Sequence, residues 1–172
     1  GLYFKVFTPY WRKAFDVYKA KKYQITSLKS IDPLEHNEKT QWNFLPSKKW
    51  YQKFSNYWKP GEEAALEKLK YYINNHIDNY KEGRDRPDLD QTSRLSPHLR
   101  FGEISPRMIV NQVIKSKKLD ISSLTFLSEI GWREFSYSLL YYSKDLSTMP
   151  INEKFSKFPW RKNEKDLNLW KK

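Results

Sequence analysis

The 172-residue chain contains no cysteine, so neither a disulfide nor a thiolate metal centre is open to it. Its three histidines, His36, His76 and His98, are scattered without the short spacing by which imidazoles share a metal, and no metal is expected. No stretch of roughly 18 apolar residues occurs, the length that spans a bilayer. The opening GLYFKVFTPYWRK also lacks the charged, apolar and small-residue order of a secretory signal. The chain therefore reads as cytoplasmic, with no membrane partner. Period-two alternation and internal repeats are missing too, which argues against strands and repeat architectures. Acids are in the minority, 20 against 32 Lys and Arg, for a formal net charge of +12.

Aromatic residues are abundant: seven Trp, twelve Tyr and ten Phe make up 17% of the chain. That is more ring surface than an ordinary soluble domain carries, and with this length it points to one packed core rather than disorder. The positive charge is concentrated at the start, where residues 1–60 hold twelve Lys and Arg against four acids. Cations interleaved with rings suit a polyanion, since cations neutralise phosphates and rings stack on bases. A lysine-rich solvated surface accounts for the same charge equally well.

Residues 2–7 look strand-like and run straight into Thr8-Pro9 and a short helical pattern. Residues 21–60 show little periodicity, carry Pro33, Pro46 and Pro60, and read as a long basic connection. After Pro60-Gly61, apolar residues at Leu66, Leu69, Ile73, Ile77 and Tyr80 recur at three- and four-residue steps, predicting an amphipathic helix that continues to Tyr80. A second helix follows Ser105 as N-cap and Pro106 at the first helical position, with Ile109, Val110, Val113 and Ile114 as its stripe. A third runs from a serine cap at Ser122 or Ser123 through Tyr142 and is expected to be well buried. The fold class is all-α with long loops.

Two stretches could carry chemistry. On the third helix Glu129, Trp132, Arg133 and Ser136 share one face, offering a carboxylate, an indole and a guanidinium to a ligand. A Glu129–Arg133 ion pair with Trp132 as core explains the same spacing. Upstream, Tyr80, Arg84 and Arg86 precede Thr92, Ser93, Arg94 and Ser96, a loop of hydroxyls entering a helix. Donors and helix dipole converging there would suit a phosphate or pyrophosphate. Simple N-capping by Ser93 or Ser96 ahead of Pro97 is the alternative.

The strings KVFTPYWR, TSRLSPHLRFGEISPR and FLSEIGWREF, in the right order along the chain, resemble the DNA photolyase and cryptochrome family, and FPWRKNEKDLNLWKK resembles the family stretch that follows. The wording SPHLRFGEISPR is most similar to bacterial cyclobutane pyrimidine dimer photolyases. The resemblance implies an incomplete helical FAD-binding domain, with residues 1–60 as the lead-in and basic interdomain connection and residues 61–172 as the N-terminal half of that domain. The family's N-terminal domain, where an antenna chromophore is expected, and the half that follows the tryptophan matching Trp170 have no counterpart here.

By the same resemblance, FAD contacts fall on Tyr80, Thr92, Ser93, Arg94, Leu95, Ser96, Phe126 and Arg133. Phe126 stands where a tryptophan is common, so its contact cannot include an indole N–H. DNA and lesion contacts fall on Arg84, Glu129, Trp132, Arg133 and Ser136, Glu129 bonding to a flipped pyrimidine dimer and Trp132 packing on it, the scheme for which photolyases are a stock example. Trp160 matches the solvent-side member of an electron relay. The implied activity is light-driven repair of pyrimidine dimers in DNA by reduced FAD, with the isolated chain expected to bind FAD weakly and repair nothing. A cryptochrome-type photoreceptor and a cofactor-free basic DNA-binding module are the alternatives. No obligate protein partner is expected, although a half-domain with an uncovered apolar face would tend to self-associate.

Overall fold

The computed structural model describes residues 3–20, 46–116, 118–143 and 145–171. Among them every regular element is helical: α1 (Phe7–Ala20), α2 (Glu62–Asn75), α3 (Tyr80–Gly83), α4 (Ser96–Arg100), α5 (Pro106–Ser116), α6 (Ile121–Tyr142) and α7 (Glu164–Trp170), with 3₁₀ turns at Trp50–Asn56, Ile77–Asn79 and Glu153–Lys157. The all-α expectation holds for these residues. Most of the predicted basic connection, including Pro33 and His36, lies outside them.

The strand-like reading is corrected for the described residues, because residues 3–6 form no strand and Phe7 already opens α1. Pro9 sits in the first turn, where its missing N–H costs nothing. Trp11, Phe15 and Tyr18, at helical spacing, pack against the core, so the lead-in helix and the helical region share one hydrophobic cluster.

α2 starts with Glu62 and Glu63 in its first turn, where carboxylates complement the helix dipole. It buries Ala65, Leu69, Tyr72 and Ile73 along one face. The predicted continuation to Tyr80 is broken at His76, whose φ of −129° leaves the helical region. Asn74, Asn75 and His76 are weak helix formers. A 3₁₀ turn then delivers Ile77, fully buried, and Tyr80 to the same core. α3 ends at Gly83, where an added Cβ would lie 2.5 Å from Gln91 Cβ. Glycine is what lets the following loop fold back over α3.

α5 is as expected, with the Met108 N–H donating to Ser105 Oγ at 3.1 Å. The cap of α6 is corrected: Asp120, not a serine, is the N-cap. Its carboxylate accepts from the Ser123 N–H at 2.7 Å while the Asp120 N–H donates to Ser123 Oγ at 2.8 Å, a reciprocal capping box. The Ser123 hydroxyl and amide together hold the Asp120 carboxyl below its ordinary value.

α6 is the axis of the fold, packing against α1, α3 and α5. Phe126, Leu127, Ile130, Gly131 and Phe135 are buried, but its last turns are not, and Tyr137, Leu140 and Tyr141 are exposed. The expectation of burial through Tyr142 thus fails for the C-terminal third of the helix. No residue of the 3₁₀ turn at Glu153–Lys157 or of α7 is buried either. Below the α4–α5 turn, His98 is almost fully buried and its Nδ1 lies 2.5 Å from Glu103 Oε2, which ties that turn to the core.

Candidate functional site

The candidate residues form two clusters, one in the loop after α3 and one on α6. The loop is braced by Arg86, whose Nε and Nη2 donate to the two oxygens of Asp88 at 2.9 and 2.7 Å. Leu95, 1% exposed, anchors its far end in the core. Between these fixed points Arg94 takes φ +50°, the one non-glycine residue at positive φ among the described residues. Its guanidinium pairs with Asp90 at 3.0 Å, and its carbonyl accepts from Trp58 Nε1 at 3.4 Å.

Thr92, Ser93 and Arg94 line one side of a small cavity of about 70 Å³, with Tyr72 and His76 of the α2 end opposite. Tyr72 Oη and His76 Nδ1 are buried without a hydrogen-bond partner among the described residues. Burial, with Tyr80 adding to it, pushes the Tyr72 phenol well above its ordinary pKa, so it stays a neutral donor. The Asp90 carboxylate lines the same cavity and pairs with the Arg94 guanidinium, so the donors left over are the hydroxyls of Thr92 and Ser93 and the unspent polar atoms of Tyr72 and His76.

The helix that this loop enters is only five residues long, with no side-chain cap. Neither Ser93 nor Ser96 caps it, and Ser93 Oγ instead accepts from the Leu95 N–H at 3.4 Å. A helix this short adds little dipole, so any anion held here is held by side chains and loop amides.

Tyr80 and Phe126 stand edge to face at 5.4 Å, and Tyr72 packs on Phe126 at 4.9 Å. Phe126 is 3% exposed and Tyr80 9%. Both expected cofactor positions are therefore core residues in this chain, in the same hydrophobic cluster as Leu95.

On α6 the predicted polar face divides. Glu129 does not pair with Arg133; it accepts from Arg84 Nη1, across from the end of α3. This hydrogen bond raises the Arg84 pKa, and the guanidinium also lies over the Tyr80 ring at 5.7 Å. Arg133 turns away, donating from Nη1 to Glu134 at 2.7 Å and from Nη2 to the Leu99 carbonyl at 3.1 Å, so it ties α6 to α4. Trp132 is 45% exposed, and Ser136 beside it returns its hydroxyl to the Trp132 carbonyl at 2.9 Å. Trp160 lies in the C-terminal segment, 79% exposed, with its ring against Phe158 at 4.7 Å.

Arg84 and Glu129 thus meet at the α3–α6 junction, with Trp132 one turn further along α6, while Thr92, Ser93 and Arg94 face the end of α2. Tyr72, His76, Asp90 and Trp58 were not singled out by sequence reasoning. The burial of Ile73 was legible in the stripe of α2, but Tyr72 was not part of that stripe, and nothing in the spacing pointed Tyr72 or His76 at the loop.

No family model matches the chain. It is 39% identical over 97% of its length to a deoxyribodipyrimidine photo-lyase of Agrobacterium fabrum, and 30% identical over its whole length to one of Alkalihalophilus pseudofirmus. The fold is similar to a solved class III photolyase of Agrobacterium tumefaciens, with a TM-score of 0.76 and 35% identity over 97% of this chain. The chain spans 36% of the length of each of these proteins.

Proposed function

Because the chain belongs to the DNA photolyase and cryptochrome family over the third of its relatives' length that it spans, we propose that it supplies part of the flavin and lesion site of a light-driven pyrimidine dimer repair enzyme, at work on DNA in the cytoplasm. The observation that carries this reading is the Arg84–Glu129 pair on the stretch of α6 that also bears the half-exposed Trp132. A dimer flipped out of the duplex loses its stacking and exposes carbonyl and N–H edges. An indole wall and a polar edge reader replace what it lost.

The loop fits FAD by its donors. Thr92, Ser93, Arg94 and Ser96 are suited to the pyrophosphate and ribityl chain, with the unspent polar atoms of Tyr72 and His76 behind them. Leu95, Tyr80 and Phe126 act from beneath by fixing the loop and its floor. Arg133 orients α4 under that loop through the Leu99 carbonyl. When bound and reduced, FAD supplies the electron that on excitation splits the cyclobutane ring and is afterwards returned.

The chain's own residues bind, orient and exclude water. Glu129 accepts hydrogen bonds from the dimer's edge, Trp132 covers its face, and Arg84 and Ser136 face the flanking backbone. Arg84 next to Glu129 also holds the carboxylate in place. In this reading Trp160, exposed to solvent, is the outer end of an electron path to the flavin.

The test is a dimer-containing oligonucleotide incubated with the protein at its full natural length, loaded with reduced FAD, under blue light and in the dark. Light-dependent loss of dimers is expected. Retention of FAD with dimers left intact under light would replace repair by a photoreceptor role. Equal affinity for damaged and undamaged DNA, with no FAD retained, would leave a basic DNA-binding module.

A further inference from the structure

α1 is held on α6 by aromatic contacts, and one of them falls on a side chain with a role in the site. Trp11 lies over Gly131, where an added Cβ would sit 2.4 Å from Trp11 Cε3. Glycine at that point of α6 is what allows the two helices to approach so closely. Phe135 meets Phe7 edgewise at 5.9 Å and Tyr10 at 5.2 Å. With α1 fixed in this way, Phe7 stacks on Trp132, ring centroids 3.7 Å apart and planes within 10°.

We propose that Phe7 is a positioning residue for Trp132, covering one face of the indole and fixing its plane so that only the opposite face receives the flipped pyrimidine dimer. An exposed tryptophan left to itself samples several rotamers, and ordering it on binding weakens affinity. Phe135, at 5.9 Å and 72° to the indole, restricts it further. Trp132 is still 45% exposed with Phe7 stacked on it, which leaves part of the side chain open to a ligand. Covering one face also makes the indole one-sided, which favours packing against an extruded base over insertion between two stacked ones.

The inference rests on the reading of Trp132 as the wall of the lesion site, and the experiment separates the two. Affinities for one oligonucleotide with and without a single pyrimidine dimer are measured for the FAD-loaded protein at full natural length, with Trp132→Ala, Phe7→Leu and Phe7→Tyr beside it. Trp132→Ala is expected to abolish the preference for damaged DNA. Phe7→Leu keeps apolar volume but no flat ring, and should lower that preference roughly three- to tenfold with undamaged DNA binding and FAD content unchanged. Phe7→Tyr restores a ring and should restore the preference. If Trp132→Ala leaves the preference intact, or the unaltered protein has none, the lesion-site reading fails and this inference with it. If Trp132→Ala abolishes the preference while Phe7→Leu retains it in full, the positioning role of Phe7 alone is overturned.

Discussion

Arg84 and Glu129, 45 positions apart in the chain, form an ion pair that closes the junction between the end of α3 and the middle of α6. Both side chains are about one-third exposed, so water screens the pair and it contributes at most about 1 kcal/mol to folding. Its value lies in placement: it holds a carboxylate and a guanidinium where a nucleic acid could address both.

Glu129→Gln should therefore separate stability from binding. Unfolding free energy is expected to fall by less than about 1 kcal/mol, as for a screened surface pair. Affinity for dimer-containing DNA should drop about ten- to a hundredfold, the worth of a hydrogen bond to a charged group. Urea denaturation and fluorescence-detected DNA titration check the two halves. A loss of stability as large as the loss of affinity would make Glu129 a structural residue.

Gly131→Ala tests the docking of α1. The added methyl would meet the Trp11 ring at 2.4 to 2.8 Å, against a large rigid group that can move only by lifting the helix. Destabilisation of about 1–3 kcal/mol is expected, the usual cost of overpacking. Combined with Trp11→Ala, Gly131→Ala should cost less than it does alone, since the ring it clashes with is gone. Strictly additive costs in a denaturation series would mean that the close approach of α1 and α6 does not persist in solution.

The capping box of α6 predicts a pH dependence. Asp120 titrates below its ordinary value in the folded chain, so the folded state binds fewer protons than the unfolded one in that range. Its stabilisation is fully present above the unfolded carboxyl value of about 3.9 and is lost as pH falls through the lower folded value. Asp120→Ala should cost about 1 kcal/mol at neutral pH. The gap between variant and parent should close in acid. Thermal melts from pH 7 down to pH 2.5 report this, and a gap independent of pH would contradict the capping role.

The parts of this fold that follow a period were legible in advance. Leu69 and Ile73 on α2 and Ile109, Val110 and Val113 on α5 are buried as their spacing implies, because packing acts on every turn of such a stripe. The break at His76 was hidden, because Ile77 and Tyr80 keep the same three- and four-residue steps through a 3₁₀ turn. The α6 cap was misplaced by two or three residues, because Asp120, Ser122 and Ser123 can each cap, and only the reciprocal bonds of Asp120 and Ser123 decide it. The partner of Glu129 was out of reach for another reason. Periodicity suggests Arg133, four positions on, whereas the actual partner Arg84 comes from another helix, and nothing local encodes a contact of that range. Phe7 was hidden likewise, since a residue read as strand has no face until α1 exists.

Arg94 offers the sharpest division between fold and site, because its backbone and its side chain pull in different directions. At φ +50° an L-residue carries a steric cost of about 1–2 kcal/mol, which glycine would not. Arg94→Gly removes that cost but adds about 0.5–1 kcal/mol of backbone entropy to be lost on folding. It also deletes the exposed Asp90 pair, worth at most about 1 kcal/mol. These terms nearly cancel, so unfolding free energy should stay within about 1 kcal/mol of the parent. FAD retention should not follow it. Losing a guanidinium from a phosphate-binding loop costs about 1.5–3 kcal/mol, and flavin affinity should fall about ten- to a hundredfold. Flavin absorbance of the purified full-length protein, read beside a urea curve, measures both. A variant with unchanged stability and unchanged flavin content would show that Arg94 shapes the loop without touching the cofactor, and would shift the phosphate contacts onto Thr92, Ser93 and the loop amides.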